Sequence, residues 1–238
     1  MATEISGEAG NKLIIPEGED QKIDIVDLPN SEAVEIVVNQ AIKGLEIDVA
    51  GTKAVAVAGK KIKGSPVKAT ASAGETSKIV FETTKVKNMD FVTEGEGSVD
   101  LNVLTGKVSG STIKTSTSAK SPDSIKFGNA TTVKNTDIEV GAGKDTISFK
   151  GAKISGEVRL ALGESDGDTD GKDIVEVNAK IPGKGTILIS DFDRKDRIKV
   201  TDGDDQYKIS LKKLQKGKGD IPDGIVIQSV DGEVFGAD

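Results

Sequence analysis

A motif that begins with aspartate and continues as a short alternating strand recurs four times in the second half of the chain. The copies start at Asp123, Asp145, Asp173 and Asp196, so they lie 22, 28 and 23 residues apart. After each aspartate, large apolar residues occupy every second position, which is typical of a β-strand with one buried face. A linker, a second strand and a turn complete each unit. A repeat of this length predicts an architecture built by stacking.

The same order of strand, linker, strand and turn extends back through residues 53–122 and, more weakly, through residues 21–52. One such coil cannot bury its apolar face alone, but stacked coils pair strand on strand and bury it continuously. We therefore predict an all-β, parallel β-solenoid (β-helix) over residues 21–204, with coils of about 22 residues. Residues 1–20, as an N-terminal cap or arm, and 205–238, as a C-terminal cap, lack the repeat and would cover the open ends.

An antiparallel β-sandwich with evenly spaced strands is the alternative fold. The composition suits the narrow interior of a solenoid better, because only 3% of residues are aromatic and the inward positions are mostly Val, Ile, Leu and Ala. The chain also contains 28 glycines, which fits a fold with many tight turns.

The chain contains no Cys and no His. Thiol nucleophiles, disulfides, histidine general bases and the usual zinc sites are thereby excluded. Ser, Asp, Glu and Lys remain, but no spacing among them forms a catalytic triad or dyad. The sequence therefore predicts a protein that is not an enzyme.

Charge, apolar runs and aromatic content limit the kinds of partner that the chain can bind. A net charge of −7 argues against non-specific binding of nucleic acid, which needs clustered Lys and Arg. No apolar run reaches the length of a membrane span, so we expect no membrane insertion. One Tyr and no Trp argue against a carbohydrate-binding platform. Residues 1–16 show no signal-peptide pattern. Protein partners or self-assembly, in a virion or at the extracellular surface, are the remaining expectation.

An acidic turn interrupts the repeat within its long 28-residue interval. Asp-Gly-Asp-Thr-Asp-Gly over residues 166–171 matches the start of an EF-hand-type loop, in which alternate carboxylates converge on Ca²⁺. Val177 stands where such a loop has its bidentate Glu, so another carboxylate would have to substitute. A solvated acidic loop is the alternative, and residues 202–205 form a weaker acidic turn. The predicted calcium ligands are Asp166, Asp168, Asp170, the carbonyl of Lys172, Asp173 and Glu176.

Residues 137–200 resemble the hemolysin-type (RTX) calcium-binding repeat. Gly141-Ala-Gly143-Lys-Asp145-Thr-Ile147 fits its G-x-G-x-D-x-U pattern, where U is a large apolar residue. Gly171-Lys-Asp173 repeats part of that pattern, and Ile189-Ser-Asp191-Phe192 resembles the segment that often follows such arrays. The resemblance implies a parallel β-roll or β-helix, with calcium held between successive turns.

Three functions follow as hypotheses. The first is a non-enzymatic structural or surface protein, as a component of a virion, a surface layer or an extracellular fibre. The second is a calcium-binding, RTX-like adhesion or secreted module. The third is a polysaccharide-active enzyme built on a β-helix, in which a pair of carboxylates would act on a glycosidic bond.

Overall fold

A computed structural model describes residues 54–115, 122–163 and 171–236, together with Gly44 and the backbone of six strands in the first 53 residues. Strand accounts for 59% of the chain and helix for 2%. The strands are, in chain order, β1 (Ala2–Ser6), β2 (Lys12–Ile15), β3 (Lys22–Val26), β4 (Ala33–Val38), β5 (Ile42–Lys43), β6 (Glu46–Ala50), β7 (Ala54–Lys63), β8 (Pro66–Ala71), β9 (Thr76–Lys87), β10 (Asp90–Gly95), β11 (Ser98–Val103), β12 (Lys107–Ser109), β13 (Thr112–Lys114), β14 (Ser124–Phe127), β15 (Thr132–Glu139), β16 (Thr146–Ser148), β17 (Lys153–Ala161), β18 (Ile174–Asn178), β19 (Thr186–Phe192), β20 (Arg197–Asp202), β21 (Asp205–Ile209), β22 (Ile225–Ser229) and β23 (Val234–Phe235).

The strands stack in parallel on three faces of a solenoid. The first face contains β2, β4, the start of β7, the start of β9, β11, β14, β16, β18 and β20. The second face contains β5, the ends of β7 and β9, β12, and the starts of β15 and β17. The third face contains β1, β3, β6, β8, β10, β13, the ends of β15 and β17, β19 and β22. The predicted parallel β-solenoid is confirmed, and the sandwich alternative is wrong.

Successive coils lie about 24 residues apart over about six turns, slightly more than the predicted 22. In the second half, Ser124 pairs with Thr146, Thr146 with Ile174, and Ile174 with Arg197. The 22-, 28- and 23-residue intervals of the sequence motif are therefore the coil lengths themselves. The mean is longer than 22 because the coil that contains the acidic turn has 28 residues and other coils, such as those from Ala54 to Lys78 and from Asp100 to Ser124, have 24.

Both predicted caps contain strands that continue the stack. In the segment 1–20, β1 pairs in parallel with β3 and β2 with β4. Beyond residue 204, β21 and β23 are antiparallel to β20 and β22, and the short helix α1 (Leu211–Leu214) lies between β21 and β22. No helix in the described part of the chain is long and apolar enough to cross a membrane. The division of the chain into an N-terminal cap or arm, a solenoid and a C-terminal cap remains a prediction.

The interior consists of columns of like residues, one residue from each coil. Val103, Phe127 and Val177 are among those that are at most 3% exposed. The rings of Phe127 and Phe149 stack in adjacent coils, with centroids 5.0 Å apart and planes 10° from parallel. Because each inward side chain contacts the equivalent residue above and below it, the core is continuous along the solenoid.

At the corner between the second and third faces, a residue with a left-handed backbone conformation recurs in successive coils. The sequence analysis did not recognise this feature. Gly64, Asn88, Gly110, Asn135 and Gly156 all have φ between 46° and 72° there. A Cβ on Gly110 would lie 2.8 Å from Oδ1 of Asn88, and one on Gly156 would lie 2.0 Å from Oδ1 of Asn135. Each Asn side chain thus occupies the space that a Cβ would need at the same corner of the following coil. That coil therefore has a glycine there, which explains why the two residue types alternate.

Candidate functional site

The aspartates that begin the repeat form a ladder inside the solenoid. Asp123, Asp145, Asp173 and Asp196 are each at most 2% exposed. Oδ1 of each of the last three accepts a hydrogen bond from the backbone N–H of the aspartate one coil earlier, at 2.8, 2.8 and 3.0 Å. We call these four residues the aspartate ladder. Its carboxyl groups join one coil to the next through buried hydrogen bonds.

Each step of the aspartate ladder contains a second hydrogen bond, between main-chain groups. The N–H of Thr146 donates to the carbonyl of Asp123 at 2.9 Å, and that of Ile174 donates to the carbonyl of Asp145 at 2.9 Å. Each aspartate lies just before the first residue of its strand, where regular strand pairing has not begun. In the first three, the backbone N–H is therefore bonded by a side-chain oxygen of the next coil instead of a main-chain carbonyl. The side chain thereby satisfies a buried N–H at that corner.

The aspartate ladder has a distinct structure at each end. At its start, the N–H of Val99 donates to Oδ1 of Asp123 at 2.8 Å. At its end, Asp193 and Asp196 bond reciprocally: the N–H of Asp193 donates to Oδ2 of Asp196 at 2.9 Å, and the N–H of Asp196 donates to Oδ1 of Asp193 at 3.1 Å. The Asp-Phe-Asp segment that resembles an RTX ending therefore terminates the ladder, with Phe192 fully buried and Asp191 at φ 60°.

The predicted calcium ligands fall into two groups. Asp166, Asp168 and Asp170 lie outside the described residues. Lys172 is exposed, and Asp173 belongs to the aspartate ladder, where its Oδ1 accepts the N–H of Asp145. The sequence motif identified Asp173 by its charge, but its burial and its backbone partner became visible only once the coils were stacked.

Glu176, the remaining predicted ligand, lies on the outer surface of the first face between two lysines. Its carboxylate oxygens lie 3.4 Å from Nζ of Lys150 and 3.3 Å from Nζ of Lys199, which belong to the coils on either side. Partial burial alone would raise the pKa of Glu176, but the hydrogen bond from Lys199 and the two lysine charges outweigh it and lower that pKa. Glu176 thus bridges three coils as a carboxylate.

Gly143 and Gly171, which the sequence analysis compared with the RTX repeat, lie one above the other in successive coils. A Cβ on Gly171 would meet the carbonyl oxygen of Gly143 in the previous coil, at 1.2 Å. The Gly-Lys-Asp tripeptides that start at these two residues therefore stack as successive turns. No cluster of three or more acidic side chains that could hold a metal occurs within the described residues.

The outer surface of the second face carries two columns of lysines. One column contains Lys61, Lys85, Lys107, Thr132 and Lys153. The other column contains Lys63, Lys87, Ser109, Lys134 and Ser155. We call the surface formed by these ten outward positions, seven of which are lysine, the lysine face. The sequence analysis did not place these lysines on one surface.

A shallow depression of about 360 Å³ lies on the outer surface of the third face. Lys114, Asp137, Glu139 and Arg159 line it. Nζ of Lys114 lies 2.7 Å from Glu139, whose hydrogen bond and charge raise the pKa of the lysine. The lining combines both signs of charge, so it does not concentrate a field of either sign.

Fold and surface together define the chain as a parallel β-solenoid protein with an internal aspartate ladder and one basic face. Comparisons with protein-family models, curated proteins and solved structures found no match.

Proposed function

We propose that this chain is a non-enzymatic structural or surface protein, a component of a virion, a surface layer or an extracellular fibre. The observation that supports the proposal most directly is the aspartate ladder, which adds a buried side-chain hydrogen bond to the strand pairing at each of three successive steps. A buried donor that loses its acceptor costs about 1–3 kcal/mol, so each of these bonds helps to hold neighbouring coils together. A solenoid reinforced in this way suits a mechanical role.

The surface of the first face supports the same role. Ion pairs join neighbouring coils there, as between Lys126 and Asp100 at 3.6 Å and around Glu176. Single exposed ion pairs contribute little stability, roughly 0–1 kcal/mol each. Their value here is that they act along the direction in which a stack of coils would separate.

The structural role predicts that the native protein sediments as part of a large assembly. An antibody against the purified chain, applied to gradient fractions of the native source, should detect it in fast-sedimenting fractions, and immunogold electron microscopy should label a particle or filament. The purified chain, run on the same gradient, is the control for the free species. Detection of the native protein only at the position of the free chain would overturn the proposal.

A calcium-binding, RTX-like module is the second candidate, and the stacked Gly-Lys-Asp turns favour it. In the RTX family calcium lies between successive turns. Because the Oδ1 atoms of Asp145 and Asp173 accept backbone hydrogen bonds, further ligands would have to come from Asp166, Asp168 and Asp170. The proposed ion is Ca²⁺, which binds oxygen ligands of this kind.

If calcium binds there, titration of the chelator-treated full chain should release heat. The melting temperature should also rise, because a ligand at a hundred times its Kd stabilises the fold by about 2.7 kcal/mol. The triple variant Asp166→Asn, Asp168→Asn, Asp170→Asn should lose both effects. The variant Asp90→Asn, Asp137→Asn, Asp220→Asn removes equal charge from exposed positions and should keep them. No heat at millimolar calcium would exclude this candidate.

A further inference from the structure

Several lysines on the other two faces of the solenoid are paired with carboxylates. On the third face, Lys68 lies 2.9 Å from Glu94 and Lys114 lies 2.7 Å from Glu139. On the first face, Lys126 and Lys150 are paired in the same way. None of the seven lysines of the lysine face forms an ion pair with any residue of the described part. Seven lysine charges without ion pairs are thus gathered on one surface of an acidic protein.

The lysine charges are close enough to repel one another. The pKa of Lys85 is lowered by partial desolvation and by the charges of Lys61, Lys107 and Lys87. Like charges at neighbouring positions of adjacent strands destabilise a sheet. A polyanion would relieve this repulsion by replacing loose counterions with fixed negative charges.

The geometry of the lysine face is linear and regular. Parallel strands lie about 4.8 Å apart, so each coil advances both columns by that distance, and the columns are separated by two residues, or about 6.6 Å. Ser109, Thr132 and Ser155 occupy the positions without lysine and offer hydroxyl groups, which both donate and accept hydrogen bonds. The surface is therefore a straight track of ammonium groups with hydroxyls between them.

From these features we infer that the lysine face binds a linear acidic polysaccharide, a chain with a carboxylate or sulfate on its sugar units, laid along the solenoid axis. One sugar unit of such a chain has about the length of one coil rise, so the acidic groups on the side that faces the solenoid come into register with lysines. The hydroxyls of Ser109, Thr132 and Ser155 hydrogen-bond to sugar hydroxyls between the charged contacts. The inference does not depend on the protein being part of a particle.

Nucleic acid fits this surface less well. Phosphates of one strand of a duplex advance about 3.4 Å per base pair, which falls out of step with coils about 4.8 Å apart. Single strands are usually held by aromatic side chains that stack on bases, and bidentate phosphate contacts are made by Arg. None of the ten outward positions that define the lysine face is aromatic or Arg.

An anionic membrane is also a poorer fit. Surface-bound elements combine basic residues with apolar side chains that enter the lipid boundary. The ten outward positions hold only Lys, Ser and Thr. The scarcity of aromatic residues that argued against a carbohydrate platform does not apply here, because the contacts with an acidic chain are electrostatic and need no stacking ring.

The test is titration of the full chain with sodium polygalacturonate, with soluble amylose as the neutral polymer. Wild type should bind the polyuronate and not amylose, and should lose affinity as salt rises, because exposed charges are screened. The triple variant Lys85→Gln, Lys87→Gln, Lys107→Gln should bind about tenfold or more weakly. A matched variant, Lys78→Gln, Lys144→Gln, Lys208→Gln, removes the same charge from exposed positions outside the lysine face and should bind like wild type.

Competition and folding measurements complete the test. Duplex DNA, single-stranded DNA and phosphatidylserine vesicles should each displace the polyuronate poorly. Melting curves should show that both triple variants are folded, since removing mutually repelling lysines does not weaken the core. Three outcomes would overturn the inference: no binding of polyuronate by wild type, equal loss in the two triple variants, or preferred binding of nucleic acid or vesicles.

Discussion

Replacement of Asp145 by alanine should destabilise the protein by about 3 kcal/mol, because it leaves a buried backbone donor without its acceptor. Oδ1 of Asp145 accepts the N–H of Asp123 at 2.8 Å, and both residues are at most 2% exposed. Alanine cannot accept that bond, and the surrounding coils exclude water.

Urea unfolding followed by circular dichroism would measure this loss, and hydrogen exchange would localise it. The amide of Asp123 should exchange faster in Asp145→Ala than in wild type, while the amides of the third face keep their protection. Asp145→Asn retains an Oδ1 acceptor and should lose less stability. Asp137→Ala, an exposed position on the third face, should change stability by less than about 0.5 kcal/mol. Equal stability of Asp145→Ala and wild type would contradict a structural role for the aspartate ladder.

Replacement of Gly95 by alanine should cost about 3–5 kcal/mol, because two separate penalties add. The residue has φ 92°, which L side chains rarely adopt. Its Cβ would also lie 2.2 Å from the carbonyl oxygen of Ala71 in the previous coil. That carbonyl accepts the N–H of Gly97 at 2.9 Å, so the methyl group can be accommodated only by separating the coils and breaking the bond.

Gly74→Ala is the matched control for this prediction. Gly74 has φ 81° but its Cβ would meet nothing within 4 Å, so its substitution carries only the conformational penalty, about 1–2 kcal/mol. Thermal melting of both variants separates strain from coil contact. Similar melting temperatures for Gly95→Ala and Gly74→Ala would show that the coils yield easily at this corner.

The solenoid fold was predictable because its two main sequence signals can be recognised without knowledge of tertiary contacts. Alternation of apolar residues within a strand and recurrence of Asp123, Asp145, Asp173 and Asp196 can be read along the chain, and both follow from one coil being like the next. The left-handed corner could also have been found. Gly64, Asn88 and Gly110 each follow an Ile or Val by two positions, a weak signal that becomes clear only when the copies are aligned in register.

The role of each candidate ligand is harder to derive from the sequence, because a carboxylate has the same sequence signature whether it binds a metal, a lysine or a backbone amide. Asp173 accepts the N–H of Asp145, and Glu176 bridges Lys150 and Lys199. These partners lie on neighbouring coils, 23 to 28 residues away in sequence. The sequence pattern identified the two acidic residues, and the fold added these contacts; their predicted binding of calcium remains a prediction.

Taken by itself, the sequence determined that the strands stack as a parallel solenoid and that an aspartate opens each coil of the second half, because period and alternation are properties of the chain. Only the tertiary structure decided which way each charged side chain faces and what it meets. Lys85 and Lys114 are both outward lysines of a strand, yet Lys85 lies among other lysines and Lys114 lies beside Glu139. The cause is register: a shift of one residue exchanges the inner and outer sides of a strand, and the coil length fixes which residues become neighbours.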